Sequence, residues 1–341
     1  MKRILLLLTV ILCAGMSLQA QNDDAAREKA LKEKMKMEAK EGWQSIGALG
    51  FDLGQLMIIN PYVGQGQDRL GIGGAIGYTA NYKQGLMSWK NQFNVNLGVQ
   101  RFGSGIIGAG STQKQPFEKS IDILYFTSNM GYKVNETSKW AYSADLTFLS
   151  QLLSAYQGTN GKYYATNIPA FSTILKSKFL SPAEITAGIG MNYDYSDALK
   201  IYLSPLTAKI FYVGDNSIAK LTTTDGDNIW GLESGKNLRY DLGANLKATY
   251  TTKILDRVAW TSGLSLFSNY LRDPQRVDVI WLNTLGLEII KNLNLQVKGD
   301  LYYDYDKINQ LSNKDAVGGV EGFGRTVNVI EQILLTYSLT F

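Results

Sequence analysis

Asp300, Asp304 and Asp306 fall at even spacings in one segment, and Asp215, Asp225 and Asp227 crowd a polar stretch upstream. Grouped carboxylates are the oxygen ligands that a hard cation such as calcium takes. Neither spacing follows a calcium-binding loop, whose ligands recur at alternate positions around a glycine bend and close on a glutamate. Solvated acids are the reading the spacing favours, and no metal is expected. The chain contains no histidine. That excludes the serine, histidine and acid arrangements of hydrolases and acyltransferases, and every His-ligated metal site. Gly71, Gly73, Gly74 and Gly77 could cradle a phosphate only ahead of a helix N-terminus, and no helical pattern follows them. They read as relief of crowding in a strand. No enzymatic activity and no cofactor are expected.

The elements carrying these residues begin with Lys2 and Arg3, an apolar run from Ile4 to Leu12, and small residues reaching Ala20. Residues 1–20 read as a secretory signal peptide cleaved after Ala20. The run is short of the ~20 apolar residues that a bilayer-spanning helix needs. Cys13, the single cysteine, follows Val10, Ile11 and Leu12 and lacks the small residues of a lipidation site. Its removal leaves the exported chain without thiolate or disulfide chemistry. Residues 21–42 alternate acids and bases, with a few apolar positions such as Leu31 and Met35 making a thin apolar stripe, and read as a solvated helical extension. The 34 basic and 30 acidic residues are too balanced for a nucleic-acid partner.

From Trp43 to Phe341 the period changes to two. Phe93, Val95, Leu97 and Val99 interleave with Gln92, Asn94, Asn96 and Gln100; Leu242, Ala244, Leu246 and Ala248 interleave with Asp241, Asn245 and Lys247. Leu295, Val297, Leu301 and Tyr303 likewise alternate with Gln296, Lys298, Asp300 and Asp304. Period two places one face against something apolar and the other against something polar. About 12 strands follow from this pattern. They lie near 43–55, 69–84, 87–102, 119–134, 139–154, 179–195, 197–213, 238–253, 256–272, 275–291, 292–307 and 326–341. The connections alternate between tight turns (83–85, 135–138, 195–197, 253–256, 291–292) and long polar loops (56–68, 103–118, 155–178, 214–237, 308–325), apart from a short ninth connection near Pro274. Thirty-four glycines, 20 tyrosines, 6 tryptophans and only 6 prolines suit long hydrogen-bonded strands with aromatic belts.

The fold class is therefore all-β: a transmembrane up-and-down antiparallel barrel with a short helical extension. In hydrocarbon an open sheet would leave edge N–H and C=O groups unpaired, and closure removes the edges. The expected site is the lumen, with Gln92, Asn94, Asn96, Asp241, Asn245, Lys247, Lys298, Asp300 and Asp304 as lining candidates. Trp89, Trp140, Trp260, Trp281, Tyr250 and Tyr270 are the expected interface aromatics. An even strand count puts both termini in the periplasm.

The terminal alternation through Tyr337, Leu339 and Phe341 resembles the carboxy-terminal signal by which outer-membrane barrels meet their assembly machinery. In detail the chain resembles a family of Bacteroidota outer-membrane proteins, a domain of unknown function numbered three thousand and seventy-eight, over most of the barrel. The resemblance is carried by Trp89, Lys119 to Asp122, Gly131-Tyr132-Lys133, Leu180-Ser181-Pro182-Ala183, Leu203-Ser204-Pro205-Leu206-Thr207, Gly243-Ala244 and Leu266-Phe267-Ser268-Asn269-Tyr270. Tyr62, Gly64 and Gly66 depart from it where the family has a tryptophan and paired glycines. It implies an outer-membrane location and a barrel, and no substrate. Two functions fit: a channel or transporter for a small solute, or a closed barrel acting as a scaffold through its loops, with lumen side chains of both signs pairing to fill the interior.

Overall fold

Period-two segments adopt extended backbone because alternate side chains can then meet different surroundings while every backbone group finds a ladder partner. The computed structural model describes residues 40–56, 69–102, 116–158, 163–169, 172–222, 226, 228, 230–290, 293–305, 309–312 and 320–340. Twelve long strands dominate it: β1 (Gly42–Leu56), β2 (Arg69–Gln84), β3 (Met87–Phe102), β4 (Glu118–Lys133), β5 (Trp140–Ser150), β6 (Ala183–Asp194), β7 (Leu199–Tyr212), β8 (Leu238–Leu255), β9 (Val258–Asn269), β10 (Val277–Ile290), β11 (Leu293–Tyr303) and β12 (Asn328–Thr340).

Each long strand pairs antiparallel with the next in sequence. β12 returns to β1 through Ala48↔Thr340, Leu49↔Leu339 and Gly50↔Ser338, so the pairings run around a ring with a short seam. This is the up-and-down order expected from the alternating connections. Among the described residues no helix is long and apolar enough to cross a membrane.

Two of the expected polar loops carry short strands of their own. Ala155–Gly158, Tyr163–Tyr164 and Ser172–Ser177 form short strands joined to β4 through Glu118↔Tyr164, and Asn309–Ser312 pairs with Val320–Gly324. Connections of this length still have backbone groups to satisfy, and local pairing does so. The fifth and sixth strands are also shorter than the 139–154 and 179–195 expected. The Ser150 hydroxyl accepts from Leu180 N–H at 3.1 Å and donates to the Pro182 carbonyl at 3.0 Å, which holds the chain out of the ladder there. Residues 21–39 of the expected helical extension lie outside the described residues. Glu41 is not helical; it pairs with Lys83 at 3.5 Å and accepts from Gly85 N–H at 3.1 Å, tying the start of β1 to the first tight turn.

Several residues of the resemblance meet in one wall. At Ser204-Pro205-Leu206 the register of β7 shifts against both neighbours, a bulge that accommodates the missing proline N–H. The Ser204 hydroxyl lies 2.9 Å from the carbonyl oxygens of Ile189 and Leu206 and accepts from Thr207 at 2.8 Å. A Cβ on Gly190 would run into the Leu203 carbonyl, and one on Gly243 into that of Ser268. Tyr270 then donates to the Pro205 carbonyl at 3.0 Å, closing the cluster over β7 to β9.

Candidate functional site: the barrel interior

Contacts between non-adjacent strands show which face is inside. Lys247 on β8 reaches Asp145 on β5, with Nζ 2.9 Å from Oδ1. Lys209 on β7 lies 3.8 Å from Asp278 on β10, and Asn192 on β6 donates to Asn129 on β4 at 3.2 Å. Only a concave face lets side chains cross past intervening strands, so the polar face lines the interior.

The interior candidates fall on that face. Asn94 and Asn96 are 2% and 1% exposed, Asp241, Asn245 and Asp300 are also buried, and Gln92 is half-buried. Lys247 and Asp304 are partly buried; for Lys298 only the backbone, opposite Thr284 and Gln332, is described. Most of these lining positions are closed off from water by neighbouring side chains. Burial of charge requires a partner, and the interior supplies it. Asp241 accepts from Asn269 at 2.9 Å and lies 3.3 Å from Arg239 and 3.8 Å from Arg272. Lys209 also lies 4.0 Å from Glu184 and sits over the Phe267 ring. Asn129 donates to Ser143 at 3.0 Å and to Asp145 at 3.4 Å.

Asp145, Glu184, Lys209, Arg239 and Asp278 were not singled out from sequence. Each stands on the polar side of its alternation, which was the available signal, but their pairing depends on distances across the ring.

One part of the inner face is open. Ile280 and Leu282, inner-facing on β10, are each 40% exposed, and a Cβ added at neighbouring Gly263 would meet nothing within 4 Å.

The outer face is apolar and bounded by aromatics. At the tight-turn end Trp43 packs against Tyr82 and Trp89, Trp140 against Tyr193, and Tyr250 edge-on against Trp260. Trp89 Nε1 donates to Ser128 Oγ at 2.8 Å. Tyr240 and Tyr270 mark the long-loop end, both exposed. Trp281 departs from the expected position near a strand end. Its register with Leu264 and Leu301 sets it mid-wall, where its Nε1 donates to Ser262 at 3.0 Å. Tyr337 and Leu339 lie in β12 opposite Leu293 and Leu49, and Phe341 lies outside the described residues.

At the long-loop end the 213–237 connection folds back over the inner face. Val213, Ile218, Ala219 and Leu232 pack on inner-facing Phe211, with Leu175 from the preceding long connection against them. Asp215 caps the short helix α1 (Asn216–Ala219), accepting from Ser217 N–H at 2.8 Å, and pairs with Lys178 at 2.6 Å. The Lys178 ammonium and then the Ser217 hydroxyl hold its carboxyl well below the usual carboxylate range. Asp215 therefore serves as a clamp between two loops; Asp225, Asp227 and Asp306 lie outside the described residues.

The family described as "Protein of unknown function (DUF3078)" matches residues 53–156. That span bears out the family resemblance and contains Trp89, Lys119 to Asp122 and Gly131-Tyr132-Lys133, but it is shorter than the expected extent over most of the barrel. Within it Lys119 and Asp122 pair, and Asp122 accepts from Leu152 N–H at 2.8 Å and Leu153 N–H at 2.7 Å. No curated protein matches the chain. Among solved structures, an outer membrane channel from Pseudomonas putida F1 is 12% identical over 89% of this chain and 97% of its own, with a TM-score of 0.39. The translocator domain of the autotransporter NalP from Neisseria meningitidis is 10% identical over 94% and 99%, with a TM-score of 0.33. The outer membrane channel DcaP of Acinetobacter baumannii is 10% identical over 88% and 96%, with a TM-score of 0.30.

Proposed function

We propose that this protein is an integral outer-membrane β-barrel whose narrow interior conducts a small solute. The observation that carries the membrane reading is the spacing of Tyr240 and Tyr250 on the outer face of β8. Ten residues at ~3.3 Å each, tilted by about 40°, give a height of ~25 Å, the thickness of the apolar band on membrane barrels. Between them that face holds Leu242, Ala244, Leu246 and Ala248. The tight turns, the start of β1 and the end of β12 share one side of the ring, which on this reading is the periplasmic side. Outer-membrane lipid surrounds the girdles, and the assembly machinery meets the Tyr337, Leu339 and Phe341 strand end.

The open inner face at Gly263, Ile280 and Leu282 favours a narrow pathway beside the paired charges. A scaffold with a filled interior is the second reading, favoured by the charge pairs across the lumen and by the loop packed on Phe211. Unitary currents from purified protein in planar bilayers decide between them. Discrete steps at millivolt potentials are expected, whereas heat-modifiable, inserted protein without steps would select the scaffold.

A further inference from the structure

We propose that the open part of the interior binds a small amphipathic anion, with its apolar body against Ile280 and Leu282 and its acidic head at Lys247; this rests on the channel reading above. The register sets Lys247, Ser265 and Ile280 on one level across β8, β9 and β10, and Thr249, Gly263 and Leu282 on the next level toward the tight turns. A water-filled pore presents polar groups to its lumen. Here the polar inner-face groups Asn94, Asn96, Asp241 and Asn245 are buried, while two large aliphatic side chains face open space. Space beside Gly263 leaves room for a ligand's hydrocarbon, and covering Ile280 and Leu282 removes apolar surface from water.

Charges of both signs border this ledge: Asp278 lies on the same face as Ile280 and Asp300 opposite Leu282, but Asp278 is 3.8 Å from Lys209 and Asp300 is buried, which leaves Lys247 as the more exposed charge. Lys247 pairs with Asp145, but its side chain is 35% exposed against 13% for Asp145, so Lys247 is the more exposed member of the pair. An anionic head can share the Lys247 ammonium while its body lies along the ledge. The site therefore selects for both features at once: a bare anion lacks the apolar contact, and a neutral sugar lacks both.

Pentanesulfonate and methanesulfonate test this, because they carry the same permanently ionised head and differ only in hydrocarbon. Added to wild-type channels in planar bilayers, pentanesulfonate is expected to block at a roughly tenfold lower concentration, as a few partly buried methylenes supply. Leu282→Ser should weaken that block about fivefold, and Leu285→Ser, on the opposite face of β10, should leave it as in wild type. Equal block by the two sulfonates, or equal effects of the two serine variants in heat-modifiable protein, overturns the inference while the channel reading stands. Inserted wild-type protein without current steps overturns both.

Discussion

Replacing Leu246 by arginine asks directly whether the outer face of β8 meets hydrocarbon. Leu246 registers with Leu203 and Leu266, so its outer neighbours are aliphatic. The nearer girdle residue on its own face, Tyr250, is four residues away, about 13 Å along the strand and ~10 Å in height. A guanidinium snorkels only part of that distance. At the midplane of a barrel wall an arginine costs ~2–4 kcal/mol, so Leu246→Arg should destabilise by about 3 kcal/mol. Gly263→Arg places the same charge on the inner face, where the added Cβ meets nothing within 4 Å, and should cost less than about 1 kcal/mol. Urea unfolding of protein refolded into lipid vesicles reads both values; with an m-value of up to ~3 kcal/mol/M, the first substitution moves the midpoint by about 1 M or more. Because a soluble barrel would also resist Leu246→Arg, spin labels at both positions complete the test. The label at 246 should relax with lipid-dissolved oxygen, and the label at 263 with a water-soluble agent. The assignment of faces would be falsified if the two arginines cost the same, or if the label at 246 were shielded from oxygen.

Lys247→Gln and Asp145→Asn should each destabilise the refolded barrel, with a double-mutant coupling of about 1 kcal/mol, since the pair is only partly buried; additive effects would show that the cross-lumen contact is not formed. Asp215 is held in its charged form, so its contribution is fully present above its unfolded pKa of ~3.9 and is lost as pH falls below that value. Limited proteolysis of the 213–237 connection should accordingly be unchanged from about pH 8 to pH 5 and faster below about pH 4, and Asp215→Asn should be cleaved faster throughout. The intact mass of membrane-extracted protein should correspond to a chain beginning at Gln21, and retention of Met1 to Ala20 or a lipid on Cys13 would contradict the export signal. Deleting Phe341 should reduce the heat-modifiable outer-membrane form, and normal amounts of it would separate this strand end from assembly.

The long strands were legible because alternation is a local property. Each residue from 238 to 250 declares its face by its own polarity, and tight turns such as 135–138 declare the reversals. The same pattern placed Asn94, Asp241 and Lys247 together on one face. Local pattern carries no distance across a ring, so it left open whether those groups meet water or one another. Strand number, tilt and stagger decide that, by bringing Lys247 to Asp145 and Lys209 to Asp278. Stagger also decides height, which is why Trp281 looks terminal along its strand yet sits mid-wall beside Leu264. The loop core of Val213, Ile218 and Leu232 on Phe211 escaped notice because apolar residues scattered through a polar connection show no period until the chain folds back. The sequence alone thus determined the sheet and its two faces, since each strand's surroundings are written in adjacent residues. Only tertiary closure decided which inner groups pair and which stay open, since those contacts join residues as far apart as 145 and 247.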